Sequence, residues 1–291
     1  MRALRIDFSC LMREILPFGD EHTSMSRGIV AVTSLALEAR IAVGPGVSVI
    51  CSQGERLAAA LESAVERGAC GIISFGVAGG LAPGLATGDW IAAAAVRTGQ
   101  RLFPTDQTWT RSLRERLPQA VQADILGMDN LVADPERKRL LHAQTGAVAV
   151  DMESHIAAAI AAAHQIPFAA SRVIIDPADK PLPPAALVGL RSDGTADAVA
   201  VFRSVLQQPS QLPALVRTAL DARIARAALR RGRRMLGMGL GFPDFADGRR
   251  VPAAKERNSP FPELGSGFAV ESRRIGDLRG TREMELPRPQ H

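Results

Sequence analysis

The chain has 291 residues, 46% of them hydrophobic and 22% charged, and a formal net charge of +5. That length and composition describe a folded chain with a sizeable core, not a disordered or collagen-like one. Cys10, Cys51 and Cys70 and the five histidines show no paired zinc-type spacing, which argues against a structural metal or a disulfide framework and for a reducing cytoplasm. The basicity is local. Residues Arg217 to Arg234 hold seven arginines and one aspartate, a segment charge of +6, so the rest of the chain stands at −1. No run of about eighteen apolar residues appears that would read as a membrane span.

In chain order, residues 1–27 match no element of the periodic body and read as an N-terminal extension; Asp7, Arg13 and Glu14 break any signal-peptide core. The body opens with a β-branched run, Gly28 to Val32, expected to be a buried strand. Gly46–Gly54 has the same character. "ERLAAALESAVERG" carries apolar residues at helical spacing and stops at Gly68, a C-cap residue. "ACGIISFGVAGG" then reads as a buried strand running into a glycine-rich turn, with another strand after Asp89. A polar helical stretch surrounds Ser112–Leu117. "DMESHIAAAIAAAHQI" is expected to be a helix and "PFAASRVIID" a strand. "TADAVAVFRSVLQQ" and "QLPALVRTALDARIARAALRRGRR" are further helices. Alternating strands and helices imply one α/β domain, residues 28–236, with a mostly parallel or mixed central sheet flanked by helices. Residues 237–291, rich in Gly, Pro and charge, read as a low-order tail.

Ligands of such sheets gather at strand ends, which singles out Glu38, the Gly76–Gly80 segment and Asp176. The turn "FGVAGG" is neither a Walker A loop nor a dinucleotide fingerprint; from its glycines alone, a bare tight turn and a ligand cradle are equally open. Asp176 before Pro177 is an ordinary turn starter. At the mouth of a buried strand it is also a desolvated carboxyl suited to general-acid work. Glu153, in the first turn of its helix, is by pattern alone a residue favoured by the helix dipole. Arg172, four residues before Asp176 on one sheet face, reads as an ion-pair partner for that aspartate. The arginine-rich helix is by default a solvated basic face. With Leu220, Ile224, Ala227 and Leu229 opposite its arginines it would instead lie on anionic lipid. Without tyrosine and with few aromatics, the chain lacks the stacking surface of nucleic-acid binders.

Taken together, "GIVAVTSLALEA", "CSQGERLAAAL", "SFGVAGGLAPGLATGDW", "VDMESHIAAA" and "SRVIIDPAD" resemble, in that order, the nucleoside phosphorylase and nucleosidase superfamily over about Gly28 to Arg234. Within it, the region from "AVDMES" onward is most similar to the hopanoid-associated phosphorylases, which are thought to remove adenine from adenosylhopane. The resemblance implies a nucleoside phosphorylase-like fold and cleavage of the N-glycosidic bond of a 5′-substituted adenosine. It implies that Asp176 protonates, or hydrogen-bonds, purine N7 and that Glu38 orients the attacking water. Met152 and Glu153 would hold the ribose, Ala78, Gly79 and Gly80 would pack on the nucleoside, and Arg172 would lie near the nucleophile. No metal and no cofactor are implied; inorganic phosphate is the alternative co-substrate to water. An adenosine-containing small molecule or lipid is the expected partner, with membrane-surface contact through Arg217–Arg234, no nucleic acid, and a homo-oligomeric state common among such proteins. The expected place is cytoplasmic, or peripheral at the inner face of the membrane. A general methylthioadenosine/S-adenosylhomocysteine nucleosidase and a non-catalytic nucleoside-binding protein are the competing readings. The chain departs from the pattern at Val77 and Ile175, where serines are usual, and at Asp151, where glutamate is. "GMDNLVADP" lacks the aromatic that commonly stacks on the base.

Overall fold

A computed structural model of the chain describes residues 28–184, 186, 203–204 and 206–243; the expected extension 1–27 and most of the expected helix over 195–208 lie outside them. Eight strands form one mixed sheet: β1 (Ile29–Thr33), β2 (Val47–Cys51), β3 (Gly71–Gly80), β4 (Trp90–Thr98), β5 (Arg101–Pro104), β6 (Val121–Gly127), β7 (Ala149–Asp151) and β8 (Phe168–Asp176). β1 is parallel to both β2 and β3. β3 then pairs with β8 in parallel and with β7 in antiparallel fashion. β8 pairs with β4, β4 with β6, and β6 with β7. Strands β3, β8, β4, β6 and β7 therefore close a circuit, from which β1–β2 and β5 extend. A closed circuit brings the ends of β3, β7 and β8 to one place, which is what the site requires.

The segment expected to turn at "FGVAGG" does not turn. β3 continues through Gly80, held on both edges, its last residues pairing with Val150 and Ala149 of β7. Its glycines serve close approach instead. A Cβ on Gly76 would lie 2.6 Å from Glu38 Oε1 and 2.8 Å from an Arg172 terminal nitrogen. Only a residue without a side chain lets those charged groups meet across the strand.

Among the described residues, six helices cover the sheet: α1 (Ala36–Ala42), α2 (Gly54–Glu66), α3 (Gln107–Arg116), α4 (Pro135–Thr145), α5 (Ser154–Ala163) and α6 (Leu212–Leu236). Period-two alternation in the buried strands feeds two cores. Val30, Val32 and Ile72 join Leu57 and Leu61 of α2 and Ala157 and Ile160 of α5. Ile29, Ala31 and Ile73 join Trp109 and Leu113 of α3 and Leu229 and Leu236 of α6. α4 is an addition to the helices expected from periodicity. It begins at Asp134, whose carboxylate accepts the N–H of Arg137 at 3.0 Å, with Pro135 in the first turn, and ends at left-handed Gly146.

The folded body also runs past the expected boundary at residue 236. Leu240 and Phe242 are buried; Trp109 donates its indole N–H to the Leu240 carbonyl at 3.0 Å and meets the Phe242 ring edge-on at 4.8 Å. Two aromatic rings and a buried leucine give this short segment the apolar anchor its composition hid. Residues 244–291 lie outside those described. No helix among the described residues is long and apolar enough to cross a membrane.

Candidate active site

Where β3, β7 and β8 end, a cavity of about 500 Å³ opens. Val77, Ala78 and Gly79 of β3 line it, as do Asp151, Met152 and Glu153 at the start of α5, and Ile175 and Asp176 of β8. The loop Asn130–Val132, the segment Lys180–Leu182 and the N-terminal half of α6 complete the wall. Of the residues expected at the site, Asp176, Met152, Glu153, Ala78 and Gly79 line this cavity. Gly80, Glu38 and Arg172 do not: Gly80 packs under Pro177, and the other two lie fully buried behind the wall.

Asp176 owes its place to a bulge. β8 is in register with β3 through Ile174 opposite Ala78, but the next pair is Asp176 opposite Gly79. Ile175 is the extra residue, and the bulge re-aims the strand end. Gly79 makes room, since a Cβ there would sit 3.3 Å from both carboxylate oxygens. The ion pair expected between Arg172 and Asp176 is absent. Asp176 Oδ2 instead receives Lys138 Nζ at 2.5 Å, and the same ammonium donates to the carbonyls of Asp176 (3.2 Å) and Pro177 (3.1 Å). Lys138 is wholly buried; three acceptors use all three of its protons. Asp176 Oδ1 receives no hydrogen bond from another described residue. Burial pushes the Asp176 carboxyl above its ordinary value, against the opposing pull of Lys138. The result is a partly desolvated acid with one oxygen fixed and one free.

Asp151 and Glu153 divide the work differently from their sequence reading. The helix start belongs to Asp151, which accepts the N–H groups of Ser154 (3.0 Å) and Glu153 (3.3 Å) and the Ser154 hydroxyl. Glu153 precedes the first helical residue and its side chain caps nothing. It turns inward to Arg172, whose terminal nitrogen lies 3.4 Å from Oε2; Glu153 Oε1 is buried with no partner. Burial lifts the Glu153 carboxyl to about 8; Arg172 opposes this, while Asp151 and Glu38 reinforce it.

Arg172 is the hub. Its Nε lies 2.7 Å from Asp151 Oδ2, an ion pair whose N–H is not aligned on the oxygen. Its terminal nitrogens donate to Ser74 Oγ (2.5 Å), Ser154 Oγ (3.3 Å) and the Val77 carbonyl (3.4 Å). The acids around it raise its affinity for its proton against the effect of burial. Glu38 grips the opposite wall. Its Oε2 accepts the N–H groups of Ser34 and Leu35, both at 3.0 Å, and its Oε1 accepts that of Val77 at 2.7 Å. Ser34, Leu35 and Val77 all line the cavity, so Glu38 sets the wall it stands behind.

Sequence reasoning missed Lys138 and the rim pair Lys180–Asp221 (3.0 Å), which ties the segment after β8 to α6. The Asp134–Pro135 start and Gly146 stop were the available signals for the helix carrying Lys138. No aromatic ring lines the cavity among the described residues, and no group of three or more His, Cys, Asp or Glu among them is placed to hold a metal ion.

Residues 43–221 match the family model described as the phosphorylase superfamily. Among solved structures, the native futalosine hydrolase of Helicobacter pylori superposes with a TM-score of 0.52 at 15% identity, covering 75% of this chain and 98% of its own. A mutant of the H. pylori 5′-methylthioadenosine/S-adenosylhomocysteine nucleosidase, holding 5′-methylthioadenosine in its active site, gives 0.51 at 14%, covering 73% and 97%. A nucleosidase assigned the same two substrates from Francisella philomiragia gives 0.50 at 18%, covering 72% and 96%. At these identities the likeness is one of fold. No curated protein matches the chain.

Proposed function

The chain is an enzyme of the phosphorylase superfamily, and from that premise we propose that it cleaves the N-glycosidic bond of a 5′-substituted adenosine, releasing adenine. The observation that carries this reading is the Asp176 carboxyl, raised in pKa and pinned through Oδ2, with Oδ1 free at the wall of a cavity that also holds Glu153. As the C1′–N9 bond breaks, its electron pair passes to the purine and positive charge develops on the ribosyl ring. Asp176 gives its proton to N7 and so relieves the leaving group. The Glu153 carboxyl holds the ribose hydroxyls, and Met152 packs beside the sugar. Asp151 at the wall and Glu38 behind it present negative charge to the oxocarbenium-like ring. Proton donation of this kind contributes about 10²–10⁴-fold in rate.

Water is the nucleophile we favour over phosphate. Arg172 is buried and committed to Asp151, Glu153, Ser74, Ser154 and Val77, leaving no fork for an incoming dianion. Arg40 is exposed and outside the cavity. Glu38, held behind the wall by the N–H groups of Ser34, Leu35 and Val77, adds negative charge that repels a phosphate dianion.

For the 5′ group we propose a long apolar substituent, adenosylhopane being the case the sequence resemblance indicates. Leu131, Val132, Leu182 and Ala214 supply aliphatic wall. A volume of about 500 Å³ lies inside the range of roughly 300–1,000 Å³ typical of small-molecule sites. The test is product analysis with methylthioadenosine and an alkyl-extended adenosine in competition, with and without phosphate. Free ribosyl product formed without phosphate, and preference for the extended substrate, are expected. Strict phosphate dependence would overturn the choice of water; faster turnover of methylthioadenosine would overturn the choice of substituent.

A further inference from the structure

Helix α6 has two faces with different business. Its inner face packs on the body through Ala225, Ala228, Leu229, Gly232 and Leu236, all buried, and lines the cavity further toward its N-terminus through Ala214, Arg217, Thr218 and Asp221. A Cβ on Gly232 would overlap the indole ring of Trp90, which fixes how close the helix lies. This corrects the face expected from sequence: Leu229 is core, whereas Leu220, Ile224 and Ala227 are exposed. The outer face is the unusual one. Leu212, Val216, Leu220 and Ile224 recur every four residues, each about half exposed (50–53%). That spacing sets them in one row along the helix.

The charge beside that row is one-signed. Arg223, Arg226, Arg230, Arg231 and Arg234 are exposed and have no acidic partner among the described residues, whereas Arg217 lines the cavity. The helix's one aspartate, Asp221, is taken by Lys180. Arg233 is spent internally, donating to the carbonyls of Ala42 (2.9 Å) and Gly237 (2.7 Å). An aliphatic row continued by unpaired arginines on a helix already anchored by its other face matches an anionic bilayer surface: the side chains enter the acyl boundary and the guanidinium groups meet phosphate headgroups. A second copy of the chain fits less well. A two-fold contact would set this face on itself, bringing unpaired arginines against unpaired arginines.

We propose that the outer face of α6 docks the protein on an anionic membrane surface, through Leu212, Val216, Leu220 and Ile224 and the arginines that follow them. The cavity wall formed by Ala214, Thr218 and Asp221 then lies within one helix diameter, about 10 Å, of the lipid. A substrate whose apolar tail rests in the bilayer would need to leave it by no more than that distance. The docking itself stands apart from the nucleosidase reading, because it is measured without turnover.

The experiment is co-sedimentation of the full chain with two vesicle types, phosphatidylcholine alone and phosphatidylcholine with about one-third phosphatidylglycerol. Binding to the anionic vesicles, weakened by salt, is expected, with little binding to the neutral ones. Each surface arginine adds roughly fivefold, so the triple variant Arg223→Ala/Arg226→Ala/Arg230→Ala should bind on the order of 100-fold more weakly. The pair Val216→Ser/Leu220→Ser should lose about tenfold or more. Both variants alter exposed side chains, so unchanged circular dichroism and thermal unfolding are expected of each. Equal binding to both vesicle types, no binding, or undiminished binding by either variant overturns the proposal. So does a drop in oligomer size caused by the serine pair, which would make this face a protein contact.

Discussion

Replacing Lys138 by methionine tests how the strand end holding Asp176 is kept in place. The substitution preserves side-chain length and removes an ammonium that is wholly buried and shared among Asp176 Oδ2 and two carbonyls. Breaking a buried pair by removing one partner costs about 3–5 kcal/mol, because the remaining charge is left in a poor solvent. Asp176 can escape by taking a proton, and that makes the penalty pH-dependent. Lys138 opposes the burial that raises the Asp176 carboxyl, so without it the folded-state pKa rises further. A group whose folded pKa lies above its unfolded value binds more protons when folded, so stability falls as pH rises between the two values. The loss in Lys138→Met should therefore be larger near pH 8 than near pH 5. It should shrink on acidification, by at most about 1.4 kcal/mol per pH unit, between the variant's folded pKa and the wild-type one, which burial already holds above its ordinary value. A remainder for the two orphaned carbonyls, about 1 kcal/mol each, should persist at all pH values. Urea unfolding of both proteins between pH 5 and 8 measures this. In the rate profile, the alkaline limb set by Asp176 should move to higher pH in the variant, since a carboxyl without its cation holds its proton longer. A loss below about 1 kcal/mol at pH 7, or one that is flat with pH, would refute the reasoning. So would an alkaline limb that moves downward.

Two further outcomes follow from the buried acids and from the packing of α6. Glu153, lifted from 4.5 to about 8, makes the folded protein lose stability as pH climbs through that window. Glu153→Gln should abolish this slope and be more stable relative to wild type at pH 8 than at pH 5. The ceiling is about 5 kcal/mol, and thermal unfolding across pH reads it. Gly232→Ala should cost about 1–3 kcal/mol by overpacking against Trp90, visible as a lowered urea midpoint with an unchanged slope.

The parts of the site that were legible in the sequence are those fixed by chain order. Asp176 closes an apolar strand, and Glu153 follows a short one; both reach the cavity because strands of a closed circuit end together. What was hidden depends on departures from regular geometry or on partners remote in sequence. Arg172 and Asp176 share a face only if β8 alternates without interruption, and the bulge at Ile175 breaks that alternation. Lys138 sits in "PERKRLLHAQT", a segment so charged that it reads as solvated. Only the tertiary fold shows that this lysine is turned inward, 38 residues before its carboxylate. For α6 the periodicity identifies a helix, but arginine-rich and aliphatic positions do not say which side meets the body. The buried glycine against Trp90 does. The extent of the fold beyond Gly237 was masked by composition, since one leucine and one phenylalanine anchor an otherwise glycine-rich segment.

The account turns on Asp176 as the acid for the departing purine. The direct measurement is adenine release from a 5′-substituted adenosine by wild type and by Asp176→Asn, with ligand binding measured alongside by calorimetry. Asparagine keeps the shape and removes the proton to be given. Wild type should release adenine, and the variant should be slower by about 10²–10⁴-fold while still binding the nucleoside. Adenine release by the variant at the wild-type rate would contradict the account.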